Sequence, residues 1–348
     1  MRPFTDAHRC PNQRVIRLAR RLIFVAVLAA SAFAGWMLWF AFNPVALAGE
    51  HIDFEISPGW TLRAAAREMA NSGVDFVPWQ FAWLGRLTGK AGDIKAGSYE
   101  IGRGITPWDL LAKLTRGDVT QAEIVFVEGK TFREMRGVLD ADPNLRHDTA
   151  GLSDQEILTR VGASETHPEG LFFPDTYLFA KQSSDLEVLR RAYGNMKRRL
   201  NQEWSNRDPA VPYSNPYQAL IMASIVEKET GRPADRGEVA AVFTNRLRRG
   251  MLLQTDPTVI YGLGETFDGN LRKRDLLADT PYNTYTRVGL PPTPITMPGA
   301  ASIQAVMHPP ATDKLYFVAR GDGSSAFSRT LEEHNRAVTK YQRRGGGG

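Results

Sequence analysis

The chain has 348 residues, a formal net charge of +5, 43% hydrophobic residues and 23% charged residues. This is ordinary globular usage, so a disordered, collagen-like or disulfide-stapled chain is excluded, and the length suggests roughly two domains of about 150 residues. The excess charge sits in residues 1–21, where Arg2, Arg9, Arg14, Arg17, Arg20 and Arg21 face Asp6 alone. The rest of the chain is charge-balanced. A globally basic nucleic-acid binder is therefore disfavoured.

Residues 22–42, LIFVAVLAASAFAGWMLWFAF, carry no charge. As a helix they extend about 32 Å, enough for a bilayer core, with Trp36 and Trp39 towards one interface. The arginine-rich flank predicts a cytoplasmic tail at 1–21, a transmembrane helix at 22–42 and an exported remainder. The rival is a cleaved signal peptide with Ala46-Leu47-Ala48 as its site, but the apolar stretch exceeds the usual h-region of roughly 7–15 residues. The single cysteine, Cys10, falls in the tail, so the exported part has no disulfide and no cysteine cluster for zinc.

Residues 51–57 alternate as a strand, Pro58-Gly59 marks a turn, and Thr61 caps a helix over 62–72. A helix at 78–88, the strand AGSYEIG and a helix opened by Thr106-Pro107 and closed by Gly117 follow. Residues 122–128 read as a buried strand before a helix from Phe132 to Leu139. This makes an α+β module over 50–139. The polar stretch 140–153 reads as a linker, and 154–344 as a second domain of mixed α/β type. Its helices are expected at 154–161, 185–205, 217–230, 235–249, 301–307 and 330–343, with strands at 314–320 and 325–329. Proline and glycine in 286–299 exclude regular structure there, leaving an ordered loop or a mobile flap. The closing Gly345–Gly348 run reads as a flexible end.

The segment 217–232, YQALIMASIVEKETGR, is the most informative. A helix apolar on every side is a buried helix. It ends in Glu227-Lys228-Glu229-Thr230, with Gly231 as a stop. Glu229 falls on the face of Met222, Ile225 and Val226. A carboxylate at the end of a buried helix is disfavoured as an anion by desolvation and by the negative end of the dipole. It can stay protonated near neutral pH and act as a general acid. The plain alternative is a solvated glutamate paired with Lys228 or Arg232.

Gln254-Thr255-Asp256-Pro257-Thr258, with Thr255 or Asp256 as a natural helix cap, and Tyr282-Asn283-Thr284-Tyr285 place amides, an acid and aromatic rings on loops. So does Glu169-Gly170-Leu171-Phe172-Phe173-Pro174-Asp175-Thr176-Tyr177. Such groups suit a sugar cleft and suit a well-packed loop equally. Ser224 and Lys228 could form a dyad at i,i+4, but no second nucleophile motif supports it. Neither a histidine metal spacing, a P-loop nor a dinucleotide fingerprint is present, and no cofactor or metal is expected.

The runs ASIVEKET, VFTNRLRRGMLLQTDPTVIYGLG, YNTYTRVGLPPTPI, PGAASIQAVMHP, LYFVARGDGSSAFSRTLEEHN and EGLFFPDTY closely resemble the bacterial endolytic murein transglycosylases, the MltG or YceG-like family. The resemblance covers about residues 50–343. It implies a LysM-like module after the membrane helix, then a catalytic domain with a lysozyme-like active-site arrangement. It makes the second glutamate of EKET, Glu229, the essential acid. It also puts Gln254, Asp256, Tyr282, Asn283 and Tyr285 along the substrate cleft and leaves Glu227 to structural support. The implied reaction cuts the β-1,4 bond between N-acetylmuramic acid and N-acetylglucosamine within a strand and leaves a 1,6-anhydromuramyl end. The implied setting is the inner membrane, single-pass, with a periplasmic catalytic domain, peptidoglycan strands as substrate and membrane-bound synthases as partners. Two rivals stay open. One is a hydrolytic muramidase with Asp256 or Asp175 as second carboxylate. The other is a non-catalytic glycan-binding scaffold.

Overall fold

A computed structural model describes residues 13–343. Cys10, the first part of the basic tail and the Gly345–Gly348 run lie outside the described residues. The fold is α+β and forms two compact units, one through Gln121 and one from Ala122 onward.

The first unit opens with one long helix, α1 (Gln13–Phe42), whose segment Arg20–Phe42 is apolar enough to cross a membrane. Then come β1 (Ala46–Leu47), β2 (His51–Ile56), α2 (Leu62–Asn71), β3 (Val74–Asp75), α3 (Pro78–Leu87), β4 (Gly97–Gly102) and α4 (Pro107–Arg116). β2 and β4 pair antiparallel, Ile52 opposite Ile101 and Phe54 opposite Tyr99. The alternation of β2 sends Ile52, Phe54 and Ile56 inward and leaves His51, Asp53 and Glu55 outside. Thr61 accepts the Ala64 N–H and Thr106 accepts the Asp109 N–H, as N-caps do. Gly117 ends α4 with φ +73°, a left-handed cap that favours glycine. The core holds Ile52, Phe54, Met69, Phe81, Tyr99 and Leu110, joined by Met37, Phe40 and Ala41 from the last turns of α1. The short pair β1–β3 was not foreseen, because two-residue strands carry no periodicity.

The second unit contains β5 (Gln121–Val125), α5 (Phe132–Ala141), α6 (Asp154–Val161), β6 (Thr176–Ala180), α7 (Asp185–Asn206) and α8 (Pro216–Glu229). After these come α9 (Arg236–Arg248), α10 (Asp256–Leu263), α11 (Lys273–Leu277), α12 (Ala300–Met307), β7 (Tyr316–Ala319), β8 (Ser325–Ser328) and α13 (Leu331–Val338). Its core gathers Ile124, Phe126, Phe132, Met135 and Leu139 with the apolar residues of α7, α8, α9 and α12. The division at 121/122 thus falls earlier than the 139/140 boundary expected from sequence. Residues 122–139 have apolar faces that bury against Phe172, Tyr177 and Phe179. β5 pairs with β6, a strand hidden in the sequence by the EGLFFPDTY reading. Capping boxes at Thr131/Glu134 and Ser153/Glu156 fix the starts of α5 and α6.

Residues 286–299 contain no regular element. Their second half is buried and tied down. Ile295 N–H donates to Ser224 Oγ at 3.0 Å and Met297 N–H to the Lys130 carbonyl at 2.8 Å. Of the two expected forms, the ordered loop describes 293–299.

Candidate active site

α8 lies at the centre of the second unit. Ala219 through Val226 are all buried, and α7, α9, α10 and α12 pack around them. Asn215 caps the start by accepting the Gln218 N–H, and Pro216 holds the first position. Thr230 ends the helix, its N–H and hydroxyl both donating to the Val226 carbonyl. Glu229, the last helical residue, stands where apolar packing stops. Burial raises its carboxyl pKa above the ordinary carboxylate range. A hydrogen bond from Thr255 opposes this, and the negative charge of Asp256 reinforces it.

The Thr255 hydroxyl donates to Glu229 Oε1 in a short hydrogen bond. The described residues supply Oε2 with no such bond. One oxygen is therefore held in place by Thr255. Of the two cap candidates, Thr255 and Asp256, it is Thr255 that occupies the N-cap position of α10, but its side chain makes no cap bond. The hydroxyl is spent on Glu229 instead.

A buried threonine knot fixes this geometry. Thr255 N–H donates to Thr284 Oγ1 at 3.1 Å, Thr258 and Thr284 hydroxyls lie 2.9 Å apart, and Thr258 donates to the Thr255 carbonyl at 2.8 Å. Gln254, just before, has φ +53°, a left-handed backbone that costs a non-glycine residue about 1–3 kcal/mol. Its N–H donates to the Thr284 carbonyl, and its side chain accepts from Arg246. Arg246 also donates to the carbonyls of Leu253 and Leu315 and lies over the Tyr316 ring. Burial lowers its pKa.

The structure brings Asp256 and Tyr285 to Glu229, whereas Gln254 joins the site only as the residue before Thr255. Tyr285 Oη donates to Asp256 Oδ1 at 2.5 Å, and burial first, then this bond, raises the phenol's pKa. Asn283 has a different task. It is fully buried, its amide donates to the carbonyls of Asp275, Leu276 and Ala278, and its oxygen accepts from Tyr285 N–H. Every bond serves the backbone, so it ties the loop that carries Tyr285. Tyr282 turns elsewhere. It bonds Thr293 at 2.8 Å and meets Tyr261 edge-on at 5.0 Å, lining a cavity of about 930 Å³ with Glu169, Phe132 and Arg133.

Glu169 is the residue whose setting was not foreseen. Its carboxylate accepts from Phe132 N–H at 2.9 Å and Tyr261 Oη at 3.1 Å, and burial pushes its pKa up to about 7. The only signal was the glycine after it. Gly170 has φ +78°, and a Cβ there would meet Pro294 at 2.5 Å. Glu227 acts as support: it accepts from Gly299 N–H, the start of α12, at 3.0 Å and faces Arg236 at 3.9 Å. The Ser224–Lys228 dyad is not formed. Ser224 is buried and bonds the Ile221 carbonyl, whereas exposed Lys228 reaches the Gly129 carbonyl. Asp175, the other second-carboxylate candidate, is exposed at the edge of β6 and bonds the Thr176 N–H.

Comparison with known proteins bears on this arrangement. Residues 54–340 match the YceG-like family. An endolytic murein transglycosylase of Bacillus subtilis is 32% identical over 307 residues, covering 83% of this chain and 84% of that protein. One from Streptococcus pneumoniae is 25% identical over 92% of this chain, which spans 64% of that longer relative. The crystal structure of a yceG-like protein from Listeria monocytogenes superposes with a TM-score of 0.53 at 31% identity, covering 82% of this chain and 98% of that one.

Proposed function

The chain belongs to the YceG-like family, and on that footing we propose that it is an endolytic peptidoglycan lytic transglycosylase with Glu229 as its acid and base. The observation that carries the assignment is the carboxyl at the end of buried α8, with a raised pKa and one oxygen held by Thr255.

Glu229 begins protonated and donates its proton to the glycosidic oxygen as the C1–O bond breaks. It then takes the proton of the muramyl C6 hydroxyl, whose oxygen closes onto C1. One bond forms, one breaks, the proton returns to Glu229, and no water is consumed. A single carboxyl suffices because the substrate delivers its own nucleophile intramolecularly. Gln254, Asp256 and Tyr285 bound the cleft beside it.

The proposal places α1 across the inner membrane with the N-terminus cytoplasmic and the second unit periplasmic. The residues after α1 are read as LysM-like, and the site as lysozyme-like in its single enclosed acid. The membrane tether puts cutting near newly made strands, which suits termination of chains made by membrane-bound synthases. Replacing residues 1–35 with a cleavable signal peptide should lengthen glycan strands in cells while sparing cleavage in solution; unchanged strand lengths would remove this role.

The test is a digest of purified peptidoglycan by the full chain in detergent, read by mass spectrometry, with Glu229→Gln alongside. Anhydromuramyl ends lost in the variant are expected. The presence of Asp256 beside Glu229 favours one rival, water addition with Asp256 as second carboxylate. Reducing ends one water heavier would establish it.

A further inference from the structure

The first unit presents an apolar face that its own core does not use. α3 turns Phe81, Ala82 and Leu84 inward. Its other side carries Trp79, Trp83 and Leu87 at intervals of four residues, one stripe along a helix. These are 42%, 43% and 58% exposed, and Val77, just before α3, is 49% exposed. α3 contains no acidic residue, and its one charge, Arg86, lies 6.0 Å over the Trp83 ring. Large exposed aromatics in a row, flanked by a cation, are the composition of an interfacial helix.

The stripe runs beside α1. Trp83 meets Phe33 edge-on with ring centroids 6.4 Å apart, and Trp79 lies 5.5 Å from Trp36. Both partners belong to the segment apolar enough to span a membrane. Trp39 and Phe42 on α1 are also exposed, at 63% and 57%.

The length of α1 sharpens the argument. Arg20 and Arg21 mark one end of its apolar segment. From residue 22 to residue 35 every side chain is exposed, but Met37, Phe40 and Ala41 are already buried in the core of the unit. This exposed stretch is 14 residues long, or about 21 Å at 1.5 Å per residue. A hydrocarbon core is about 30 Å thick. The shortfall of about 9 Å matches the roughly 5–10 Å to which an interfacial helix sinks. The last turns of α1 therefore stay within the membrane only if what packs on them does too.

We infer that the outward face of α3, with Trp79, Trp83 and Leu87, is embedded in the lipid bilayer beside α1. The inference rests on the reading of α1 as a membrane anchor. The first unit is then held by two elements, a spanning helix and an interfacial one, and its orientation to the membrane is fixed. Arg86 reaches from the stripe towards lipid phosphates, as long cationic side chains do at interfaces.

The test uses the full chain with Cys10→Ser, reconstituted in phosphatidylethanolamine–phosphatidylglycerol vesicles. Single cysteines replace Leu87, Trp83, Leu28 or Gln202 and carry a bimane fluorophore. Quenching by aqueous iodide is compared with quenching by a lipid nitroxide-labelled on its acyl chain. Leu87 is a surface residue, so Leu87→Cys keeps the test open if Trp83→Cys misfolds. Labels at 87 and 83 should be quenched by the lipid as at 28, and by iodide about tenfold less than at 202, because hydrocarbon excludes the ion. Lipid quenching at 28 with full iodide quenching at 87 and 83 would overturn the inference and leave the anchor standing. Iodide quenching at 28 would remove the anchor and the inference with it.

Discussion

The two units differ in what they bury. Among the described residues, the first unit hides only two polar side chains, Ser98 and Tyr99, whose hydroxyl donates to the Lys95 carbonyl, inside a core of aliphatic and aromatic groups. The second buries Glu169, Asp185, Ser224, Arg246, Thr255, Thr258, Asn283 and Thr284, among others. A buried polar group is costly unless it is hydrogen-bonded, so each of these demands a partner at a defined place. The interior of the first unit is built almost wholly by apolar packing. The second accepts polar groups in its interior and thereby holds a carboxyl in a fixed setting.

The largest contrast is chemical. Glu229→Gln should lower cleavage by about a thousandfold or more, the scale of a lost acid–base group, without shifting the melting temperature. In the first unit Leu110→Ala should cost about 2–5 kcal/mol, as a buried aliphatic truncation does, while cleavage of soluble glycan by the remaining folded protein is unchanged. A loss of cleavage in step with Glu229→Gln would break the comparison. Thermal unfolding and a dye-release assay read both.

Next comes Glu169. Its folded pKa of about 7 lies above its ordinary value, so the folded state holds the proton more tightly than the unfolded one. That stabilisation is complete at low pH and is lost as pH rises from about 4.5 through 7, by roughly 3 kcal/mol in all. Glu169→Gln should flatten the decline, so its melting temperature relative to the parent rises between pH 5 and pH 8. An unchanged difference would refute the assignment.

The finest test sets two neighbours of Glu229 against each other. Thr255→Val removes a donor to the anion and should move the alkaline limb of the pH–rate profile up. Asp256→Asn removes a repelling charge and should move it down. Shifts in the same direction would mean that Glu229 does not set that limb.

Much of this was legible in the sequence. Period and caps located α2, α4, α6, α7 and α8, because amphipathic spacing, Thr61, Thr106 and Gly117 act locally. The continuous apolar run of α8 announced a central helix and placed Glu229 at its edge. Less legible was everything set by distant pairing. The bond from Thr255 to Glu229 joins residues 26 apart, and nothing in the QTDPT run shows that its threonine forgoes the cap. Asn283 in a YNTY turn reads as a sugar ligand or a loop tie with equal ease, and only its three carbonyl partners decide. Glu169 sits 37 residues from Phe132 N–H, so its enclosure left no local trace beyond the glycine that follows it. The earlier division at 121/122 follows from the same limit, since amphipathicity shows that a face is buried but not against what.

The most direct test of the central claim is cleavage in water enriched in oxygen-18, followed by mass spectrometry of the new muramyl ends. Intramolecular closure under Glu229 predicts anhydromuramyl ends with no oxygen-18. New reducing ends carrying one oxygen-18 would show that water is the nucleophile and would contradict the account.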